Sequence, residues 1–245
     1  MTKPRLGIGK LLAQTGRSAV ALALPILALC AFAALLQTTL GAAISTFLQP
    51  QASRLALIAN WLVLIATQGL ALSLVVIPLC QATAAREQGR KPQFTRTLPN
   101  LPRLILPLVA VWLLYSAASL PAMILPATLY QTMSGAIFMA LLQAALLIAM
   151  YVLDRACFAG IPRAIRLTQG YRLAILAICV IAFILMALGA ATLVGVFGAL
   201  TPPWVYLFLS SAFFGLLAIL STHTYLRLRQ IKEGAPAQDL ADIFA

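Results

Sequence analysis

The sequence predicts an all-α, polytopic membrane protein: six transmembrane helices arranged as three hairpins, each hairpin introduced by a basic interfacial elbow. Three observations predict it. The chain is 62% hydrophobic and only 9% charged, with a mean hydropathy of +1.00. A soluble domain has roughly 45–50% apolar and about 25% charged residues, so this chain could not cover its own surface with polar groups. Its few charges are also segregated, leaving residues 18–53, 55–85, 104–153 and 173–226 without Asp, Glu, Lys or Arg. Finally, sixteen of the 17 basic residues fall on one side of a six-span arrangement.

A helix needs about 20 apolar residues to cross a hydrocarbon core roughly 30 Å thick. The first two charge-free stretches hold one span each, and the last two must each fold into a hairpin. The spans are placed at about 18–40, 55–80, 104–127, 133–153, 173–199 and 203–226, followed by a cytoplasmic tail over 227–245. Barrel strands are excluded because they would alternate apolar and polar residues over about 10 positions. The stretches here are continuously apolar.

Basic residues concentrate in cytoplasmic loops. Lys3, Arg5, Lys10 and Arg17 precede the first span, and Arg86, Arg90, Lys91, Arg96 and Arg103 separate the second and third. Arg155, Arg163, Arg166 and Arg172 separate the fourth and fifth, and Arg227, Arg229 and Lys232 follow the sixth. Only Arg54 lies opposite. Both termini are therefore expected in the cytoplasm, which for such a protein means the bacterial inner membrane.

The acidic residues Glu87, Asp154, Glu233, Asp239 and Asp242 share that side, so the net charge of +12 belongs to one face. An anionic leaflet attracts each surface Lys or Arg by about 1 kcal/mol. The charge needs no nucleic acid to explain it, and no basic aromatic platform accompanies it.

The first span reads as a retained signal-anchor, being too long for a cleaved signal peptide. Leu29 before Cys30 in "LALC" is too large for a lipoprotein processing site. Cys30, Cys80, Cys157 and Cys179 show no C-x-x-C spacing. With one histidine in the chain, a metal or haem site lacks ligands, and no cofactor is expected.

The elbows carry the most distinctive pattern. "IRLTQGYRLAIL" (165–176) sets Gly170 against Gly16 of "LLAQTGRSAVAL" (11–22), and "LPNLPRLIL" (98–106) is a looser third copy. In each, a polar pair and Gly or Pro precede the apolar run. Apolar positions would face the acyl boundary while arginines snorkel to phosphates. Pro162 is expected to break the segment after Ile161. Arg163, Arg166 and Arg172 are the first candidates for lipid-phosphate binding, with Arg96 and Arg103 next.

No ionisable residue lies near the middle of a span, which weighs against a proton-driven pump. Asn60 and Gln68 in span two and Gln143 in span four are the polar exceptions. Two readings stand: hydrogen bonds between helices, worth about 0.6–2 kcal/mol, or the lining of a polar cavity. Ala187, Ala191, Gly195 and Ala199 recur every fourth residue along span five, a stripe that permits close helix packing. Pro121 and Pro126 should kink or end span three on the outer side, and Pro202-Pro203 must end span five. Trp61, Tyr130, Trp204 and Tyr206 suit interfacial anchors.

Motifs for catalysis are absent: no H-E-x-x-H, G-x-S-x-G or P-loop occurs. His223 sits at the inner end of span six, where a general base would need a partner. Asp154 beside Arg155 reads as a stop-transfer flank. Leu240, Ile243 and Phe244 share one face of the tail, which could dock on the basic elbows or on a partner protein.

The six-span layout, the elbow "RACFAGIPRAIRLTQGYRLAIL" (155–176) and the ending "STHTYLRLRQIKEG" (221–234) together resemble a bacterial family. It is the membrane domain fused to glycerophosphoryl diester phosphodiesterases, with the related YciC-type inner-membrane proteins. Ala164, Leu167, Thr168, Gly170, Tyr225, Leu228 and Arg229 occupy places similar to the family's Leu-Thr-x-Gly turn and Tyr-x-x-Leu-Arg ending. This chain lacks the Ser-Trp pair common before that turn. The resemblance implies a membrane domain without an assigned reaction. The expectation is a non-enzymatic protein that engages anionic lipid or a partner protein in an envelope or transport process. The alternative is a small-molecule or lipid transporter or scramblase with Asn60, Gln68 and Gln143 lining its cavity.

Overall fold

The computed structural model describes residues 6–48, 54–92, 104–105, 109, 149–150, 152–153, 160–197 and 202–234. Most of those residues are helical, with no strand among them. Six helices are defined: α1 (Ile8–Ala21), α2 (Ala23–Leu48), α3 (Arg54–Glu87), α4 (Gly160–Thr168), α5 (Arg172–Phe197) and α6 (Pro203–Glu233). Among the described residues α2, α3 and α6 are long and apolar enough to cross a membrane. The expected third and fourth spans lie almost wholly outside the described residues.

The chain bends between α1 and α2 at Leu22, and the cause is local. Pro25 stands in the first turn of α2 and has no N–H, so it cannot donate to the carbonyl of Ala21. The ladder resumes on either side, from Leu22 N–H to Ser18 O and from Ile26 N–H to Leu22 O, both 2.9 Å. Gly16, which the sequence pattern placed at this bend, lies inside α1 instead. The first apolar span accordingly starts at Ala23 rather than near residue 18.

The second elbow does bend at its glycine. Gly170 has φ +88°, a left-handed conformation that costs other residues about 1–2 kcal/mol. The N–H of Tyr171 closes the turn on Thr168 O at 3.0 Å. Pro162 is not a breaker here, because it lies in the first turn of α4, where a missing N–H costs nothing. At the end of α3, Gly89 (φ +70°) supports a C-terminal turn in which the N–H of Arg90 donates to Ala85 O at 2.9 Å.

The core is a three-helix packing of α2, α3 and α6. Leu22, just before α2, and Ile26, Cys30 and Ala33 within it form one face at spacings of three and four. They meet Ala71, Val75, Leu79 and Cys80 of α3 and Ala218 and Ile219 of α6. Gly215 lets α6 approach closely, since a Cβ there would lie 3.0 Å from Leu79 Cδ1 and 3.4 Å from Val75 Cγ1. The outer faces stay apolar and exposed, as at Leu27, Phe32 and Leu35 of α2 and Leu216 of α6, which suits lipid rather than water.

A second cluster docks α1 and α5 on α6. It joins Leu6 and Leu11 to Ile175, Ile178, Leu220 and Leu228. A third joins Ala84 of α3, Leu167 of α4 and Tyr225 of α6 to Ala149, Met150 and Leu153. Both lie toward the end of the bundle where α3 and α6 finish and α1 and α5 meet it.

Candidate functional site at the charged end of the bundle

Hydroxyls in these helices mostly turn back on their own backbone. Thr38, Ser73, Ser211, Ser221, Thr222 and Thr224 each donate to a carbonyl three or four residues earlier. Ser18 of α1 does otherwise. It lies on the buried face of the amphipathic α1, seven residues after Leu11, and its Oγ is 3.0 Å from Nε2 of His223 on α6. The imidazole's other nitrogen, Nδ1, is 3.2 Å from Glu87 Oε1 at the end of α3.

His223 thus ties three helices together. The His223 side chain is 2% exposed, whereas that of Glu87 is 35% exposed and reaches water. With Nδ1–H donating to Glu87, Nε2 is free to accept the Ser18 hydroxyl proton; a charged ring would donate to both. Glu87 stands seven residues past the expected span. Its carboxyl is held below the ordinary carboxylate range, first by the hydrogen bond from His223, with partial burial opposing. The charges of His223 and Arg86 add to the lowering. The order Ser–His–Glu is that of a nucleophile activated by an oriented base. Here, however, the serine is buried and the carboxylate is the most exposed member. That is the reverse of what attack on a substrate requires, so the geometry describes a structural tie.

A second charged junction lies at the same end. Arg163 of α4 grips Glu233 of α6 with two bonds, Nε to Oε1 at 3.0 Å and Nη2 to Oε2 at 2.7 Å. Arg229 Nε also donates to Oε2 at 3.1 Å. These bonds, Arg163's foremost, lower the Glu233 carboxyl below its ordinary range against a partial burial penalty. Lys232 places its ammonium 5.7 Å from the ring centre of Tyr171.

The residues singled out in the sequence distribute unevenly. Arg163 is engaged by Glu233, while Arg166 and Arg172 are exposed. Gln68 is exposed on α3, and Ala191 and Gly195 are exposed on α5. Asn60 lies on α3 and Ala187 on α5, with side chains outside the described set; Arg96, Arg103, Gln143 and Ala199 lie outside the described residues altogether. Of the described ones, none is bonded to His223. No family model, curated protein or solved structure matches the chain. Among the described residues no group of His, Cys, Asp and Glu could hold a metal ion.

Sequence reasoning missed Ser18 and Glu87 as partners of His223. Ser18 and His223 are 205 residues apart, and each looks ordinary within its own helix. One signal was available: His223 is the single histidine of an otherwise apolar span end, and a buried imidazole requires partners for both nitrogens.

Proposed function

We propose that this protein spans the bacterial inner membrane six times with both termini in the cytoplasm, and that its basic cytoplasmic end engages anionic lipid headgroups. It is a proposal about the same class of membrane domain that the elbow and C-terminal motifs resemble. The observation that carries it is the convergence of charge-bearing segments. The Ser18–His223–Glu87 tie joins the inner ends of α1, α3 and α6, and the Arg163–Glu233 and Lys232–Tyr171 contacts join α4 and the start of α5 to the same end. Four basic segments far apart in sequence therefore meet at one end of an apolar bundle. That is the arrangement expected when the bilayer sorts them by charge.

The energetics favour lipid as the counter-charge. The described acidic residues, Glu87 and Glu233, are both engaged internally. Each further Lys or Arg gains about 1 kcal/mol near an anionic leaflet, and several act together. α1 and α4 present the amphipathic faces suited to lie at the interface.

The test is to purify the full chain with its native lipid and to quantify co-purifying lipids by mass spectrometry. Enrichment of anionic over zwitterionic phospholipid, relative to the bulk membrane, is expected. An unenriched profile would overturn the lipid reading, and a stoichiometric protein partner found instead would transfer the charge's role to that partner.

A further inference from the structure

The two charged junctions differ in how much positive charge they leave uncompensated. At the α4–α6 junction Glu233 takes both Arg163 and Arg229. At the α1–α3 corner Glu87 is taken by His223, a neutral ring's partner as readily as a charged one's. Arg17, Arg86, Arg90 and Lys91 are all exposed there, and none of their side chains forms an ion pair or hydrogen bond among the described residues, although the charge of Arg86 also acts on its neighbour Glu87. Arg17 directly precedes Ser18 and Arg86 directly precedes Glu87. Their backbones are therefore held near one another by the imidazole that Ser18 and Glu87 share.

Apolar surface adjoins this corner. Along α1 and into α2, Arg17 is followed at helical spacing by Val20 and Leu24, which are 78% and 80% exposed. Such exposed apolar side chains beside a cation fit acyl chains below a headgroup better than a soluble anion.

We infer that the α1–α3 corner is an anionic-phospholipid site, with Arg17 and Arg86 as its phosphate ligands and the Ser18–His223–Glu87 tie as the device that positions them. The inference deepens the lipid reading above and rests on it. It differs in the residues it names, because Arg163, the first candidate from sequence, already has its carboxylate. A phosphate diester presents acceptors to two guanidinium groups, and arginine's fixed donor fork matches that geometry.

The experiment uses the full chain in detergent micelles or nanodiscs, with phosphatidylglycerol in a phosphatidylcholine background as the probe, read by native mass spectrometry. Arg17→Gln/Arg86→Gln is expected to lower phosphatidylglycerol retention by about tenfold or more, at roughly fivefold for each basic residue lost. Arg163→Gln is expected to change it by less than about twofold, as for an exposed, internally paired charge. Both sets lie at the surface, so loss of fold should not confuse the result. If wild-type protein shows no preference for phosphatidylglycerol, the lipid reading itself falls. If it does and the double variant retains that preference, only the Arg17–Arg86 assignment is overturned. Displacement of the lipid by inorganic phosphate at equal concentration would also overturn it, by making the site one for a soluble anion.

Discussion

Gly215→Leu is expected to loosen the whole three-helix core. Gly215 is buried on α6, where a Cβ would lie 3.0 Å from Leu79 Cδ1, 3.4 Å from Val75 Cγ1 and 4.0 Å from Ile26 Cγ2. Carbon atoms pack best at about 3.5–4.0 Å, so alanine falls about half an ångström short against one flexible methyl. That misfit is offset by the gain of about 1 kcal/mol from replacing glycine within a helix. Gly215→Ala should therefore stay within about 1 kcal/mol of wild type. Leucine adds three more carbons at the point where α2, α3 and α6 meet. Overpacking costs about 1–3 kcal/mol, and the upper end applies because the neighbours come from two other helices. At about 2–4 °C per kcal/mol for a chain of this size, the midpoint should fall by about 6–12 °C.

Thermal unfolding in detergent can be followed with a thiol-reactive dye in a variant lacking Cys157 and Cys179. Cys30 and Cys80 are then the reporters, and both are fully buried in the core. Gly195→Leu serves as the control, since a Cβ at Gly195 meets nothing within 4 Å, and its midpoint should not fall. A Gly215→Leu midpoint within about 2 °C of wild type, less than 1 kcal/mol, would refute the close three-helix contact.

The tie at His223 yields two more expectations. Ser18→Ala leaves a buried imidazole nitrogen without its partner and should cost about 1–3 kcal/mol, read as a lowered midpoint in the same assay; an unchanged midpoint counts against the bond. Glu87 is held below its ordinary range by His223, so its contribution is present at neutral pH, above the unfolded value of about 4.3, and is lost as pH falls through the lower folded value. Wild type should consequently lose more stability on acidification than Glu87→Gln, and the gap between the two midpoints should narrow; a constant gap would exclude the linkage.

What could be read from the sequence depended on whether the physical cause was one-dimensional. Membrane crossing needs only length and apolarity along the chain, so the stretches that became α2, α3 and α6 were legible. The turn before α5 was legible too, because Gly170 supplies a positive φ wherever the rest of the molecule lies. The first bend was misplaced by analogy: Gly16 matched Gly170 in alignment, but Pro25, with its missing N–H, makes the bend. Rotation about the helix axis has no such signature in a chain that is apolar all round. The regular Ala187–Ala199 spacing drew attention to span five, whereas the close approach found among the described residues is at Gly215, an isolated glycine between Phe214 and Leu216.

The same reasoning explains the charged end. Counting basic residues assigns them to a side of the membrane but does not distinguish Arg163, which is bonded to a carboxylate, from Arg17 and Arg86, whose side chains bond to none among the described residues. That distinction requires knowing that Glu233 points to α4 while Glu87 points to His223, and both facts depend on how α3 and α6 are rotated. Among the described residues only those two carboxylates are present at this end, against many cations. Where each carboxylate is spent therefore decides which arginines remain to attract an anion, and a buried histidine that occupies one of them shapes the charge left at this end of the bundle without carrying any of it to the surface.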